Sequence, residues 1–70
     1  MESFEERYPK VAAWTLDGWI ELGRDGYSHS FIRVLDIGGM VWEGKEWYET
    51  IDDALSEAEA AIEAWLERNG

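Results

Sequence analysis

No cysteine occurs in this chain of 70 residues. No disulfide can staple it and no thiolate can hold a metal, so stability has to come from a rich core or from self-association. A domain near this size hides only about 60 % of the surface that its unfolded chain exposes, which makes a rich core necessary. Large aromatics meet that need, because each removes roughly 150–250 Å² from water. The chain has five tryptophans, Trp14, Trp19, Trp42, Trp47 and Trp65, spread over almost its whole length. A small sheet under one helix has a single buried face, and that face cannot easily hide all five. Some indoles are therefore expected on a surface that something else covers.

The pattern along the chain gives the fold class. Residues 1–10 are charged and end in Tyr8-Pro9-Lys10. Pro9 biases Tyr8 away from helix, so this stretch reads as a short lead-in with at most one helical turn. Trp14, Leu16, Gly18, Ile20 and Leu22 then fall on every second position, the mark of a strand with one buried face. Trp19 is out of phase with them. Gly23-Arg24-Asp25-Gly26 is a hairpin signal, since glycine accepts the backbone angles such turns require. Tyr27 to Leu35 reads as the second strand. Neither of its faces is cleanly apolar, which predicts a bulge or two-sided burial near Phe31-Ile32. After the turn Asp36-Ile37-Gly38-Gly39, Met40-Val41-Trp42 begins a third strand. Glu43 to Glu46 interrupts it and Trp47-Tyr48-Glu49 resumes, as one bent strand or a strand plus a loop.

The last element is the clearest. Ile51, Leu55, Ala58, Ile62 and Trp65 recur at steps of four and three, and acidic residues fill the opposite side. This predicts an amphipathic helix over residues 50–68, with Thr50 as its cap and Asp52 and Asp53 at the positive end of its dipole. The expected architecture is α+β: one domain over residues 1–70, with a lead-in over 1–10, a three-stranded antiparallel meander over 11–49, and the C-terminal helix packed on one face of the sheet.

Charge narrows the partners. Sixteen Asp and Glu against six Lys and Arg give a formal net charge of −10 at pH 7. Such a chain repels phosphate backbones and anionic lipid, so no direct nucleic-acid or membrane partner is expected. A basic protein would be drawn in at long range. Acidity also serves simply to keep a small protein in solution. No run approaches the roughly 20 apolar residues of a membrane helix, and the acidic start resembles neither a signal nor a transit peptide. With no cysteine, a cytoplasmic location is expected.

Candidate chemistry is sparse. His29 is the only side chain with a neutral-range titration, and its neighbours Ser28 and Ser30 would point to the other face of a strand. A reaction centre or metal site there is the weakest of the readings. Glu43, Glu46, Asp52 and Asp53 lack the spacing of a zinc or calcium site, and the glycine pairs lack a phosphate-cradling pattern. No catalytic residue, cofactor or metal is expected. The aromatics carry the lead: Trp14 and Trp65 read as core, while Trp19, Trp42, Trp47 and Tyr48 are the candidate protein interface, for a second copy of the chain or a basic partner. The alternative is that the N-terminal decapeptide covers the second sheet face.

The run from Gly18 to Phe31 and the helix start Thr50-Ile51-Asp52-Asp53-Ala54-Leu55-Ser56-Glu57-Ala58 resemble the HicB antitoxin family. Its members carry an extended strand, an acidic Asp-Gly turn and alternating Tyr and Phe, then a helix opening with Thr, an aliphatic, two acids and Ala-Leu. After Phe31 the family's usual Pro-Asp-Leu-Pro-Gly is replaced here by Ile32-Arg33-Val34-Leu35-Asp36. The resemblance implies a partial double-stranded-RNA-binding-like fold. It also implies an acidic domain that masks a small basic ribonuclease toxin.

Overall fold

A computed structural model describes residues 2–23 and 29–69. Three strands, β1 (Trp19–Leu22), β2 (Ile32–Asp36) and β3 (Gly39–Glu43), form an antiparallel sheet in the order β1-β2-β3. Two short helices precede it, α1 (Phe4–Arg7) and α2 (Pro9–Trp14), and α3 (Ile51–Asn69) follows it. The α+β class and the C-terminal helix on the sheet are as the sequence predicts. The expected turn at Arg24-Asp25-Gly26, and Tyr27 and Ser28 of the expected second strand, lie outside the described residues.

The first strand is shorter than its alternation implies. Residues 9–14 are helical, not extended. Pro9 occupies the first turn, where its missing N–H is not needed and its fixed φ suits a helix. The helix needs no side-chain cap of its own, because Glu59 of α3 supplies one from a distance. Its Oε2 and Oε1 accept the backbone N–H groups of Lys10 and Val11, both at 2.9 Å. These are two donors that the first turn leaves without intrahelical partners. Leu16, read as an inward strand position, is 84 % exposed. The apparent period of two across residues 14–22 thus joins a helix end, a turn and a four-residue strand.

One apolar cluster holds the layers together. Ile32 and Val34 from β2 meet Ala54, Ala58 and Ile62 from α3, with Tyr8 and Val11 from the N-terminal segment. The decapeptide therefore packs on the helix side of the sheet. The Tyr8 hydroxyl donates to Asp52 Oδ1 at 3.0 Å, and Arg7 sits 3.5 Å from the same oxygen. Thr50 caps α3, its Oγ1 accepting from the Asp53 N–H at 3.1 Å. The stripe of α3 centres on Ala54, Ala58 and Ile62, and small alanines let the helix approach β2 closely. Leu55 and Trp65 flank it, and the end residues Ile51 and Leu66 remain exposed.

The two-sided burial predicted near Phe31-Ile32 is present, and a bulge occurs as well, but in the third strand. Ile32, Arg33 and Val34 are all buried, so this strand is covered on both sides. The bulge falls opposite Val34 and Leu35: Val34 pairs with Trp42 and Leu35 with Met40, leaving Val41 as the extra residue of β3. β3 ends at Glu43, so the third strand is a strand plus a loop.

Candidate interaction face

Register assigns every strand residue to a side, because directly opposed residues of an antiparallel pair point the same way. Trp19, Leu35 and Met40 form one row across the three strands. Glu21, Arg33 and Glu43 form the next row on the same side. The other side carries Ile20, Leu22, Ile32, Val34 and Trp42, and Ile32 and Val34 there lie in the core under α3. Among the described elements, no helix packs over the rows that start at Trp19 and Glu21.

The two rows differ in chemistry. Trp19 is 46 % exposed and Met40 52 %, on either side of the half-buried Leu35. Ile37, at the tip of the β2–β3 turn beside this row, is 100 % exposed. The neighbouring row is charged and internally bonded. The Arg33 guanidinium is buried, and its Nε donates to Glu21 Oε1 at 3.1 Å. Its Nη1 donates to the Ser30 carbonyl at 2.6 Å and its Nη2 to the Gly23 carbonyl at 2.8 Å. The Ser30 hydroxyl in turn donates to Glu43 Oε2 at 2.8 Å. Burial of this charge is tolerable because its donors are met by a carboxylate and by carbonyls. The Trp19 indole N–H donates to Glu21 Oε2 at 3.1 Å, which ties the apolar row to the charged one.

The four residues expected at the interface separate. Trp19 lies on the helix-free side. Trp47 is 73 % exposed, but on the loop after β3 rather than in the strand rows. Trp42 and Tyr48, expected to face outward, are turned toward the core instead. For Trp42 the reason is the bulge, which absorbs Val41 and brings the indole to the helix side. Tyr48 is drawn in by its hydroxyl, which accepts from the Lys45 backbone N–H and donates to Glu57 Oε1, both at 2.9 Å. Lys45 closes this cluster, with Nζ 3.2 Å from Glu57 Oε2 and 4.9 Å from the centre of the tyrosine ring. The hydrogen bond from Tyr48 holds the Glu57 carboxyl below its ordinary range, and burial raises the Tyr48 phenol.

Strand parity placed Trp19 correctly. It missed Leu35, Met40 and Ile37 as its companions, because the bulge that aligns Met40 with Leu35 has no local sequence signal. The alternation of Glu21 with Trp19 was the available clue to the charged row. His29, the candidate for chemistry, is exposed, with Nδ1 3.9 Å from Glu46 Oε1. Among the described residues, no three His, Asp or Glu side chains are grouped to hold a metal ion, and no helix is long and apolar enough to cross a membrane. Comparison with protein-family models, with curated proteins and with solved structures finds no match.

Proposed function

We propose that this chain is a small acidic, non-enzymatic protein-interaction module that docks a basic protein on the helix-free face of its sheet. The observation that carries this reading is the row Trp19-Leu35-Met40, an apolar strip with two large exposed side chains beside a charged, pre-ordered row. Protein interfaces are built this way, with aromatic and methionine anchors at the centre and bonded polar groups around them. The choice of a basic occupant rests on charge: a net −10 attracts a cationic surface and opposes a second copy of itself. A cysteine-free chain fits a cytoplasmic setting for this role.

The antitoxin-like alternative is the special case in which the basic partner is a small ribonuclease whose active surface the acidic domain masks. The same negative charge favours it. Inhibition of a ribonuclease encoded beside this chain distinguishes that case from the general one.

The test uses two baits, wild type and Trp19→Ala, against an extract of the native host. A basic protein retained by wild type and lost with Trp19→Ala is the expected result. A partner indifferent to Trp19→Ala, or an acidic one, overturns the proposal, as does capture of nothing. Stability is measured in parallel. Trp19→Ala should cost about 1 kcal/mol or less, whereas Trp65→Ala, which removes a ring packed against Trp14, should cost about 3 kcal/mol. Equal losses would make Trp19 a core residue.

A further inference from the structure

We propose that the cleft between α2, the last turns of α3 and the end of the sheet is a receptor for one arginine side chain presented by a partner peptide. The cleft holds about 290 Å³. That lies at the small end of ligand sites, which span about 300–1,000 Å³, and it leaves room for one side chain. Its apolar walls are Trp14, Trp65, Ile62 and Leu66. Asp17 and Asp36 also line it, with Lys10 as the one cation of the lining.

The walls are held in place before any ligand arrives. The Trp14 indole N–H donates to the Leu35 carbonyl at 2.8 Å. This bond passes over Gly18, where a Cβ would meet both Trp14 Nε1 and the Leu35 oxygen at 2.5 Å. Only glycine leaves the path open. The Trp65 ring stands at 89° to Trp14, with centroids 5.4 Å apart. The pair meets edge to face, so the π surfaces open to a guanidinium are the indole faces that this contact leaves uncovered along the cleft. Arginine fits it better than lysine, because a planar guanidinium stacks on an indole while its fork reaches a carboxylate. Asp36 already accepts the Gly38 N–H on Oδ1 at 2.8 Å, and this fixes the carboxylate. Two carboxylates against one ammonium, in a chain of net charge −10, give the cleft the sign an arginine requires.

This site lies on the helix side of the sheet and goes beyond the docking face, so the two succeed or fail separately. The probe is N-acetyl-arginine-N-methylamide, followed through the indole N–H resonances of Trp14 and Trp65. The citrulline analogue, neutral and of the same shape, is the control. Saturable shifts with a dissociation constant in the millimolar range are expected, with citrulline at least about fivefold weaker. Asp17→Asn with Asp36→Asn should weaken arginine about fivefold while leaving the backbone spectrum in place, since asparagine at 36 keeps the bond to Gly38. Lys10→Met should tighten it, and Trp19→Ala should leave it unchanged. Equal binding of citrulline, indifference to the two aspartate substitutions, or no saturable shift up to the solubility of the probe overturns the proposal. Tighter binding of the lysine analogue would overturn the choice of arginine.

Discussion

Gly44 sits where three large side chains converge. A Cβ there would meet the Tyr48 hydroxyl, Ile32 Cγ2 at 2.7 Å and Trp42 Cη2 at 2.9 Å. Its backbone N–H also donates to the Ile32 carbonyl at 2.9 Å. All three neighbours are buried or half-buried and cannot readily swing aside, so overpacking decides the sign. Gly44→Ala should destabilise the fold by about 1–3 kcal/mol, read as a lower denaturant midpoint at unchanged slope. The phenol of Tyr48 gives a second residue-scale test. Its bond holds the Glu57 carboxyl low, so the stabilisation it lends is present above the unfolded carboxyl value of about 4.3 and is lost as pH falls through the lower folded value. Tyr48→Phe should cost about 1 kcal/mol at pH 7. That deficit should shrink in acid once Glu57 is protonated, and a pH-independent deficit would mean that the carboxylate contributes nothing. Neither residue was legible in advance. Gly44 read as part of a polar interruption and Tyr48 as an outward aromatic, because a hydroxyl's partner nine residues away on a helix leaves no mark in strand parity.

At the scale of elements, legibility tracked the range of the deciding interaction. The helix over Ile51–Asn69 was plain because its cap, its charges and its stripe are all local. Helix α2 was missed because its decisive bond comes from Glu59, 48 and 49 residues away in sequence from Val11 and Lys10. A six-residue helix cannot stand on its own propensity, since nucleation is unfavourable and the run is short. Its existence therefore depends on the two bonds to the carboxylate and on Val11 in the core. Glu59→Ala should remove the cap and lower stability by about 1–2 kcal/mol. Glu59→Gln retains one acceptor and should recover part of that loss. Amide exchange should locate the change: Lys10 and Val11 lose protection in Glu59→Ala while the N–H groups of α3 beyond its first turn do not. Uniform loss across both helices would mean that Glu59 supports α3 itself.

At the scale of the whole molecule, ten uncompensated negative charges act on anything that approaches. Their reach is set by salt, with a screening length of about 10 Å at 0.1 M and 3 Å at 1 M. The two occupants the sequence allowed for the aromatic surface, a basic protein or a second copy, respond to that screening with opposite signs. A basic partner is steered in by the field, so added salt slows its association, by about tenfold or more between dilute and molar salt, and leaves dissociation nearly unchanged. A second copy meets −10 with −10. Its encounter is repelled, so any dimer formed through Trp19 and Met40 grows as salt rises, since apolar burial itself does not weaken with screening. Sedimentation across protein concentration at low and at high salt reads the second case, and association kinetics with the captured partner read the first. A monomer in dilute salt, with a partner on-rate that falls steeply as salt rises, is the outcome expected from the charge pattern. A dimer already complete in dilute salt would show that the strip Trp19-Leu35-Met40 overcomes the repulsion unaided, and the face would then belong to self-assembly.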